Sequence, residues 1–111
     1  MVAELSPEEL RRKLENGEEP QLIDVRQPAA YEQAHLPGAE NVPMTELTTR
    51  IDEIEFEAEV VVACQIGQAS LQAVRLIDSY EGAADSEVWS LAGGIEAWDG
   101  EIAGREAEAD A

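Results

Sequence analysis

The feature that most restricts the fold is a run of four apolar residues, 60–63, that ends at the only cysteine of the chain, Cys64. A short run of β-branched and small residues predicts a strand buried on both faces, as in a parallel sheet. From about Gln68 the pattern becomes helical, with apolar residues at spacings of three and four: Ala69, Ala73, Leu76, Ile77 and Tyr80. The thiol should therefore lie where a strand gives way to a helix, a crevice that binds ligands and favours anions in open α/β sheets.

The charge of the chain excludes two classes of partner. There are 25 Asp and Glu residues against 7 Lys and Arg residues, which gives a formal net charge of -18 over 111 residues. Nucleic acids and anionic membranes both need basic patches, so neither is an expected partner. We interpret the acids, which are spread over a chain of one-domain length, as a surface adapted to high salt, and this predicts a halophilic microbe as the source. An ordinary acidic cytosolic protein is the alternative.

A single cysteine leaves few chemical options. It excludes an internal disulfide and a cysteine-based zinc cage, so Cys64 is either an inert buried thiol or a reactive one. No metal and no organic cofactor is implied. Residues 1–7 lack a basic start followed by an apolar segment, and no apolar run approaches about 18 residues. We therefore expect a cytoplasmic protein.

The rest of the chain predicts alternating helices and strands. Ser6, Pro7 and Glu9 have the pattern of an N-cap, a first-turn proline and a capping box, and Asn16-Gly17 ends this helix. The further predicted segments are a strand over 21–26, a short helix over 28–34, a turn over 35–39, an extended segment over 41–43, a helix over 44–54, a strand over 87–91, a turn at 93–94 and a helix over 95–98. We expect residues 1–100 to form the domain and 101–111 to be an acidic, frayed tail.

Several polar and aromatic residues outside the cysteine loop need an interpretation. Asp24 and Arg26 lie two apart and so point to the same side of an extended segment, where they either contact a substrate or fix the loops at the sheet edge. We favour the second role, because partly buried charges are usually paired. His35, the only histidine, is either a general base for the thiol or a residue whose ring satisfies a backbone carbonyl. We assign it to the fold, together with Tyr31 and Trp98.

Three signatures together resemble those of the rhodanese-like sulfurtransferase domains over nearly the whole chain. The first is Leu-Ile-Asp-Val-Arg at 22–26, then Tyr31, then His-Leu-Pro-Gly-Ala-Glu-Asn-Val-Pro at 35–43, and it lacks only the glycine often found at Ala34. The second is the strand and loop 60–70, and the third is Leu-Ala-Gly-Gly-Ile-Glu-Ala-Trp at 91–98. The resemblance implies a single rhodanese-like α/β domain with a central, mostly parallel five-stranded sheet and helices on both faces.

The resemblance also implies that Cys64 is the catalytic nucleophile of a sulfurtransferase and carries sulfur as a persulfide. Its thiolate attacks the outer sulfur of a donor and a second nucleophile then removes it, which predicts ping-pong kinetics. A persulfide is an anion that needs N–H partners, and the predicted substrate-binding residues are Gln65, Ile66, Gly67, Gln68, Ala69 and Ser70. The dipole of the helix after this loop should lower the pKa of Cys64 without a histidine.

One position departs from the family pattern. Ala69 stands where the family often has arginine, which would offer a fixed cation to an anionic donor. The predicted donor is therefore thiosulfate or a persulfide, and the missing arginine argues against thiosulfate. The predicted acceptor is cyanide, a thiol or a sulfur-carrier protein. The oligomeric state is left unpredicted.

Three other interpretations of the cysteine loop compete with this one. A buried structural thiol is disfavoured by the loop position and by the family signatures. A phosphatase of related fold uses Cys-x5-Arg, but Ser70 occupies the place of that arginine, so a phosphoryl group would have no cation. A catalytically weak rhodanese-like interaction or sulfur-carrier module is favoured by the lost arginine and disfavoured by the retained Cys64. Its partner should present positive or neutral patches to this acidic surface.

Overall fold

Strands and helices alternate along the chain in a computed structural model that describes residues 3–105. In chain order they are β1 (Glu4–Leu5), α1 (Pro7–Glu15), β2 (Gln21–Asp24), α2 (Pro28–Gln33), β3 (Glu40–Asn41), α3 (Met44–Arg50), β4 (Glu59–Ala63), α4 (Ala69–Asp78), β5 (Glu87–Leu91) and α5 (Gly94–Ala97). Short 3-10 turns at Ile51–Glu53 and Glu81–Ala83 follow α3 and α4. Among the helices of this described part, none is long and apolar enough to cross a membrane.

The five strands form one sheet in the order β1-β5-β4-β2-β3, and every pair of neighbours is parallel. The central strand is β4, in which Val61 lies opposite Leu22 of β2 on one side and Trp89 of β5 on the other. Because all strands run the same way, their carboxyl ends share one edge of the sheet. Cys64 therefore lies beside the segments that follow β2 and β5. The predicted five-stranded, mostly parallel α/β sheet is confirmed.

Side chains of β4 alternate between the two faces of the sheet, and each face is covered by helices. Val60 and Val62 pack in a core that includes residues of α3 and α4, whereas Val61 and Ala63 pack in a core that includes Leu10 of α1. These four apolar residues of β4 are at most 1% exposed. The prediction of a strand buried on both faces is confirmed, and packing from both sides fixes the strand that leads to the thiol.

The start of α1 is the predicted capping box. Ser6 Oγ accepts a hydrogen bond from the Glu9 N–H at 3.1 Å, and Glu9 Oε1 accepts one from the Ser6 N–H at 3.2 Å. Pro7 is the first helical residue, and Asn16 is the C-cap. These contacts satisfy N–H groups that the first helical turn leaves without a partner, so the local sequence alone determines where α1 begins.

Three elements differ from their predicted form. The strand expected over 21–26 ends at Asp24, because Asp24 Oδ1 accepts from the Arg26 N–H at 2.9 Å and the chain turns there. The helix expected over 44–54 is α-helical only over Met44–Arg50 before its last turn tightens to a 3-10 form. The strand Glu4–Leu5 was not predicted at all; it pairs with β5 and completes the sheet.

The segment after α5 returns to the turn around His35. His35 and Ala103 exchange two backbone hydrogen bonds, of 3.0 and 2.9 Å, in an isolated antiparallel bridge. Residues 1–2 and 106–111 lie outside the described residues. The expected domain limit at residue 100 and the fraying of 101–111 therefore stay predictions.

Candidate active site

Cys64 is the first residue after β4, and its side chain is 3% exposed. The loop that follows turns at Gly67, whose φ of 92° is left-handed and readily adopted by glycine alone. This turn directs the Gly67 N–H to Cys64 Sγ, at 3.0 Å. A Cβ on Gly67 would lie 2.9 Å from the nitrogen of Gly93, so the loop also packs directly against the turn after β5. The sulfur is therefore held by closely packed backbone.

Two buried hydroxyls continue from the sulfur into the core. Cys64 Sγ lies 3.3 Å from Oγ of Ser70, in the first turn of α4, and Ser70 Oγ lies 2.7 Å from Oγ of Ser90 on β5. Both serines are fully buried. A buried hydroxyl is costly unless it is hydrogen-bonded, so the two serines satisfy each other. The sequence placed Ser70 near the thiol but gave no role to Ser90.

Opposing effects act on the pKa of Cys64. Burial raises this pKa, because the thiolate loses hydration. Hydrogen bonds from the Ser70 side chain and from the N–H groups of Ser70, Gly67 and Ile66 lower it, and together they outweigh burial. The pKa of Cys64 is therefore below that of an ordinary cysteine, and the groups that lower it are hydrogen-bond donors.

A cleft of about 400 Å³ opens beside the sulfur. Its walls are the segment 25–27 with Ala30 of α2 on one side and Cys64 with its loop on the other. Its lining residues include no Asp or Glu, although the protein carries a net charge of -18. Ile66, which is 50% exposed, adds an apolar side chain to the lining. The lining is therefore free of carboxylates and partly apolar in a strongly acidic protein.

Arg26 is the charged residue of the cleft wall, and its guanidinium is already engaged. Nε and Nη2 donate to the Asp24 carboxylate at 2.8 to 3.2 Å, Nη2 also donates to the Ala34 carbonyl, and Nη1 donates to Gln65 Oε1 at 3.1 Å. Asp24 is fully buried, and the Arg26 side chain is 9% exposed. The predicted role of the pair in fixing loops is confirmed. Arg26 also lies on the cleft wall, which is the position that the alternative role, contact with a substrate, requires.

His35 lies outside this cleft. Its Nδ1 is 2.7 Å from the Tyr31 carbonyl oxygen, which can only accept, so Nδ1 carries the proton. The two rings stack with their centroids 3.8 Å apart. The Tyr31 hydroxyl donates to the Ala39 carbonyl, and Trp98 Nε1 donates to the Glu101 carbonyl at 2.9 Å. The prediction that His35, Tyr31 and Trp98 serve the fold is confirmed.

The structure brings the predicted site residues 64–70 together but gives them different positions. Gly67 and Ser70 contact the sulfur directly. The residues that line the cleft are Gln65, Ile66, Gln68 and Ala69. The Gln65 side chain joins Arg26 to Glu96 of α5, to which its Nε2 donates at 3.0 Å. Ala69 adds only a methyl group to the lining.

Other parts of the described chain offer less chemistry. A cleft of about 450 Å³ near Leu14 and Trp98 is lined by no cysteine, histidine or hydroxyl-bearing residue. Within residues 3–105, no group of three or more His, Cys, Asp and Glu side chains is placed to hold a metal ion. The candidate site is therefore the cleft at Cys64.

Fold and site define a class: a parallel α/β domain that holds a hydrogen-bonded thiol at the carboxyl edge of its central strand. The Rhodanese-like domain family matches residues 6–101, and the chain belongs to this family.

Its relatives include proteins named for sulfur chemistry. A "Sulfurtransferase" of Allochromatium vinosum is 36% identical over 98 residues, which cover 88% of this chain and 89% of that protein. Two Bacillus subtilis relatives are longer: the chain spans 63% of "Uncharacterized protein YqhL", at 35% identity, and 40% of "Putative sulfur carrier protein YrkF", at 32% identity, while the matches cover 74% and 67% of this chain. Among solved structures, the Rhodanese-like domain of an Anabaena protein aligns with a TM-score of 0.80 and 28% identity, covering 96% of this chain and 83% of that one. The fold and family are therefore established together.

Proposed function

We propose that this protein is a cytoplasmic sulfurtransferase that passes sulfane sulfur through a persulfide on Cys64. The observation that carries the proposal is the contact of 3.0 Å between the Gly67 nitrogen and Cys64 Sγ, beside a cleft that is lined by no carboxylate. The Gly67 N–H aimed at Sγ stabilises the thiolate, and the other N–H groups of the loop are the proposed partners of the anionic outer sulfur after transfer. One loop would thus stabilise both the Cys64 thiolate and the Cys64 persulfide, the two states between which the reaction cycles.

The first half-reaction forms one S–S bond and breaks another. The Cys64 thiolate attacks the outer sulfur of the donor, and the donor leaves with the electron pair of its broken bond, as sulfite from thiosulfate or as a thiolate from a persulfide. In the second half-reaction an acceptor attacks the outer sulfur of the Cys64 persulfide. Cyanide becomes thiocyanate or a thiol becomes a persulfide, and the Cys64 thiolate returns. No oxidant is consumed, and the kinetics are ping-pong.

The donor is thiosulfate or a persulfide, and we expect the persulfide to react faster. Ala69 supplies no charge, and the Arg26 guanidinium donates from Nε, Nη1 and Nη2 to protein acceptors. Thiosulfate carries two negative charges and would lose water without gaining a dedicated cation. A persulfide donor with an uncharged organic group could pack that group against the Ile66 side chain and the Ala69 methyl, which thiosulfate cannot do.

A second candidate is a catalytically weak module that hands sulfur to, or receives it from, a carrier protein. The printed name of the relative YrkF, a putative sulfur carrier, and the half-exposed Ile66 beside the thiol favour it. The partner would meet an opening without carboxylates on a protein of net charge -18, so positive or uncharged patches around its own thiol would fit.

The intact mass of the protein tests the proposal. The protein, in buffer with molar KCl, is treated with thiosulfate or with a low-molecular-weight persulfide, and Cys64→Ser is treated in parallel. We expect a gain of one sulfur atom that is larger with the persulfide, is removed by cyanide or thiol and is absent in Cys64→Ser. If the folded, reduced protein gains sulfur from neither donor, the persulfide mechanism is wrong. Gain without turnover would favour the carrier module.

A further inference from the structure

Ser90 is a polar residue at a position where the fold needs only a small buried side chain. It is on β5, opposite Val62 of the central strand, and it is fully buried. Its neighbour on the same face of the strand, Val88, packs in the apolar core. The partner of the Ser90 hydroxyl is Ser70 Oγ, at 2.7 Å. Since burying a hydroxyl costs free energy that alanine would avoid, its presence here calls for a role.

We propose that Ser90 is a positioning residue of the site, whose hydroxyl holds the Ser70 hydroxyl in the orientation that donates to the Cys64 sulfur. The inference rests on the proposed function only in taking Cys64 as the reacting group. Ser90 itself touches neither the sulfur nor the cleft and acts through Ser70.

The two protonation states of the thiol differ in which groups donate the hydrogen bonds. In the neutral state the Cys64 S–H donates to Ser70 Oγ, and the Ser70 O–H can then donate to Ser90 Oγ. When the thiol proton leaves to water, the sulfur can only accept. Ser70 then turns its O–H to the sulfur, and Ser90 turns its own O–H to Ser70. No covalent bond other than S–H changes.

A serine at position 90 can accept a hydrogen bond from Ser70 when the thiol is neutral and donate one to Ser70 when the thiol is ionised. Alanine can do neither. Donation from Ser90 polarises the Ser70 hydroxyl and makes it a better donor to the thiolate, by the cooperative strengthening of hydrogen-bond chains. The charged groups around the site do not contact either serine: Arg26 is paired with Asp24 at the end of β2, Glu96 of α5 is bonded to Gln65, and Glu4 of β1, the register partner of Ser90, is exposed. They stay the same in every variant below.

The test compares Ser90→Ala, Ser70→Ala and the double variant. The thiolate fraction is followed against pH by its ultraviolet absorbance and by the rate of alkylation of Cys64. We expect Ser90→Ala to move the midpoint to higher pH and to slow alkylation below the midpoint by up to about fivefold, which corresponds to losing a cooperative strengthening of about 10–30% in a hydrogen bond to a charged group. Ser70→Ala should have a larger effect, and the double variant should match Ser70→Ala alone, because Ser90 acts through Ser70.

Two controls separate positioning from packing. Ser90→Thr keeps a hydroxyl and should restore the midpoint, whereas Val88→Ala, on the same face of β5, should lower the free energy of unfolding without moving the midpoint. The inference fails if Ser90→Ala only destabilises the fold, or if the shifts from Ser70→Ala and Ser90→Ala add in full. Because alkylation needs no sulfur donor, these outcomes are independent of whether sulfur transfer is found.

Discussion

The backbone N–H of Ile95 donates to the carbonyl of Cys64 at 2.8 Å. The next residue of α5, Glu96, does the same for the carbonyl of Gln65, at 3.1 Å. N–H groups of the first turn of α5 thus form hydrogen bonds with both carbonyl groups at the point where the cysteine loop leaves the sheet. These bonds fix the two carbonyl groups at the start of the loop, in which the Gly67 N–H donates to the sulfur. The closing Gly-Gly turn and the cysteine loop form one unit.

This unit predicts a strong effect of Gly94→Ala. The φ of Gly94 is 63°, and a Cβ there would meet the Cys64 oxygen and lie 2.6 Å from the Gln65 carbonyl carbon. We expect a loss of at least about 1–2 kcal/mol in the free energy of unfolding from the left-handed conformation alone, and slower alkylation of Cys64 because the loop must shift. Denaturant unfolding and alkylation rates measure the two effects.

The matched control for that change is Gly38→Ala. Gly38 has a similar φ of 84°, but a Cβ there would meet no atom within 4 Å. It should therefore show the conformational cost and leave Cys64 alkylation unchanged. Equal effects of the two variants on alkylation would contradict the contact between α5 and the cysteine loop.

The lowered pKa of Cys64 predicts two dependences on pH. The alkylation rate should reach its midpoint at lower pH in the folded protein than in denaturant, because hydrogen bonds from Ser70 and Gly67 favour the thiolate. Between the folded and unfolded pKa the unfolded chain binds more protons, so the free energy of unfolding rises with pH across this window. The contribution is complete above the unfolded pKa and is lost as pH falls through the folded one. Subtracting the profile of Cys64→Ser isolates it, and a difference that falls with pH would contradict the assignment.

Asp24→Asn should be far more damaging than the same change at Asp99. Asp24 is fully buried against Arg26, so its neutralisation leaves a nearly buried guanidinium without its counter-charge, at a cost of about 3–5 kcal/mol. Asp99 forms an exposed pair with Arg11, which is worth about 0–1 kcal/mol. Denaturant unfolding of both variants gives the comparison. Arg26→Met added to Asp24→Asn should recover part of the loss; similar costs for both aspartates would refute the buried-pair argument.

Ala69→Arg should increase the use of thiosulfate. The new guanidinium would reach a cleft with no acidic lining, and one charge-assisted hydrogen bond is worth about 1.5–3 kcal/mol, which corresponds to roughly tenfold or more in kcat/KM. Ala69→Met provides a side chain of comparable length without charge. Steady-state rates with thiosulfate should rise only for arginine, and rates with a persulfide whose organic group is uncharged should change less. If the two variants react with thiosulfate at equal rates, the missing positive charge is not what limits the reaction with thiosulfate.

The net charge of -18 predicts that added KCl raises the melting temperature. Screening shortens the reach of repulsion from about 10 Å at 0.1 M salt to about 3 Å at 1 M. A variant with Glu15, Glu53 and Glu55 changed to glutamine, all three exposed in the structure, should melt higher at low salt and respond less to KCl. A melting temperature that does not rise with salt would contradict the proposed adaptation to high salt.

The sequence was informative where a local pattern determines the structure and silent where distant segments meet. The β4 run and the Ser6 capping box each fix their element within a few residues, so both were predictable. Strand Glu4–Leu5 is too short for any periodic pattern, and its pairing with β5 depends on a contact across most of the chain. The place of Arg26 on the cleft wall follows from β2 lying beside β4, and the Ser70–Ser90 contact follows from α4 crossing β5. The spacing of residues within one segment does not indicate either of these contacts between segments.

The position of β4 in the sheet has a consequence for how the thiol becomes accessible. This strand has a parallel partner on each side, whereas the outer strands Glu4–Leu5 and Glu40–Asn41 have two residues each. In amide hydrogen exchange, outer segments of this kind open at low free energy, and a central strand exchanges only when the whole domain unfolds. Cys64 is thus attached to the part of the molecule that opens last. We therefore expect reagents to reach its sulfur through the cleft, and not by opening of the sheet edges.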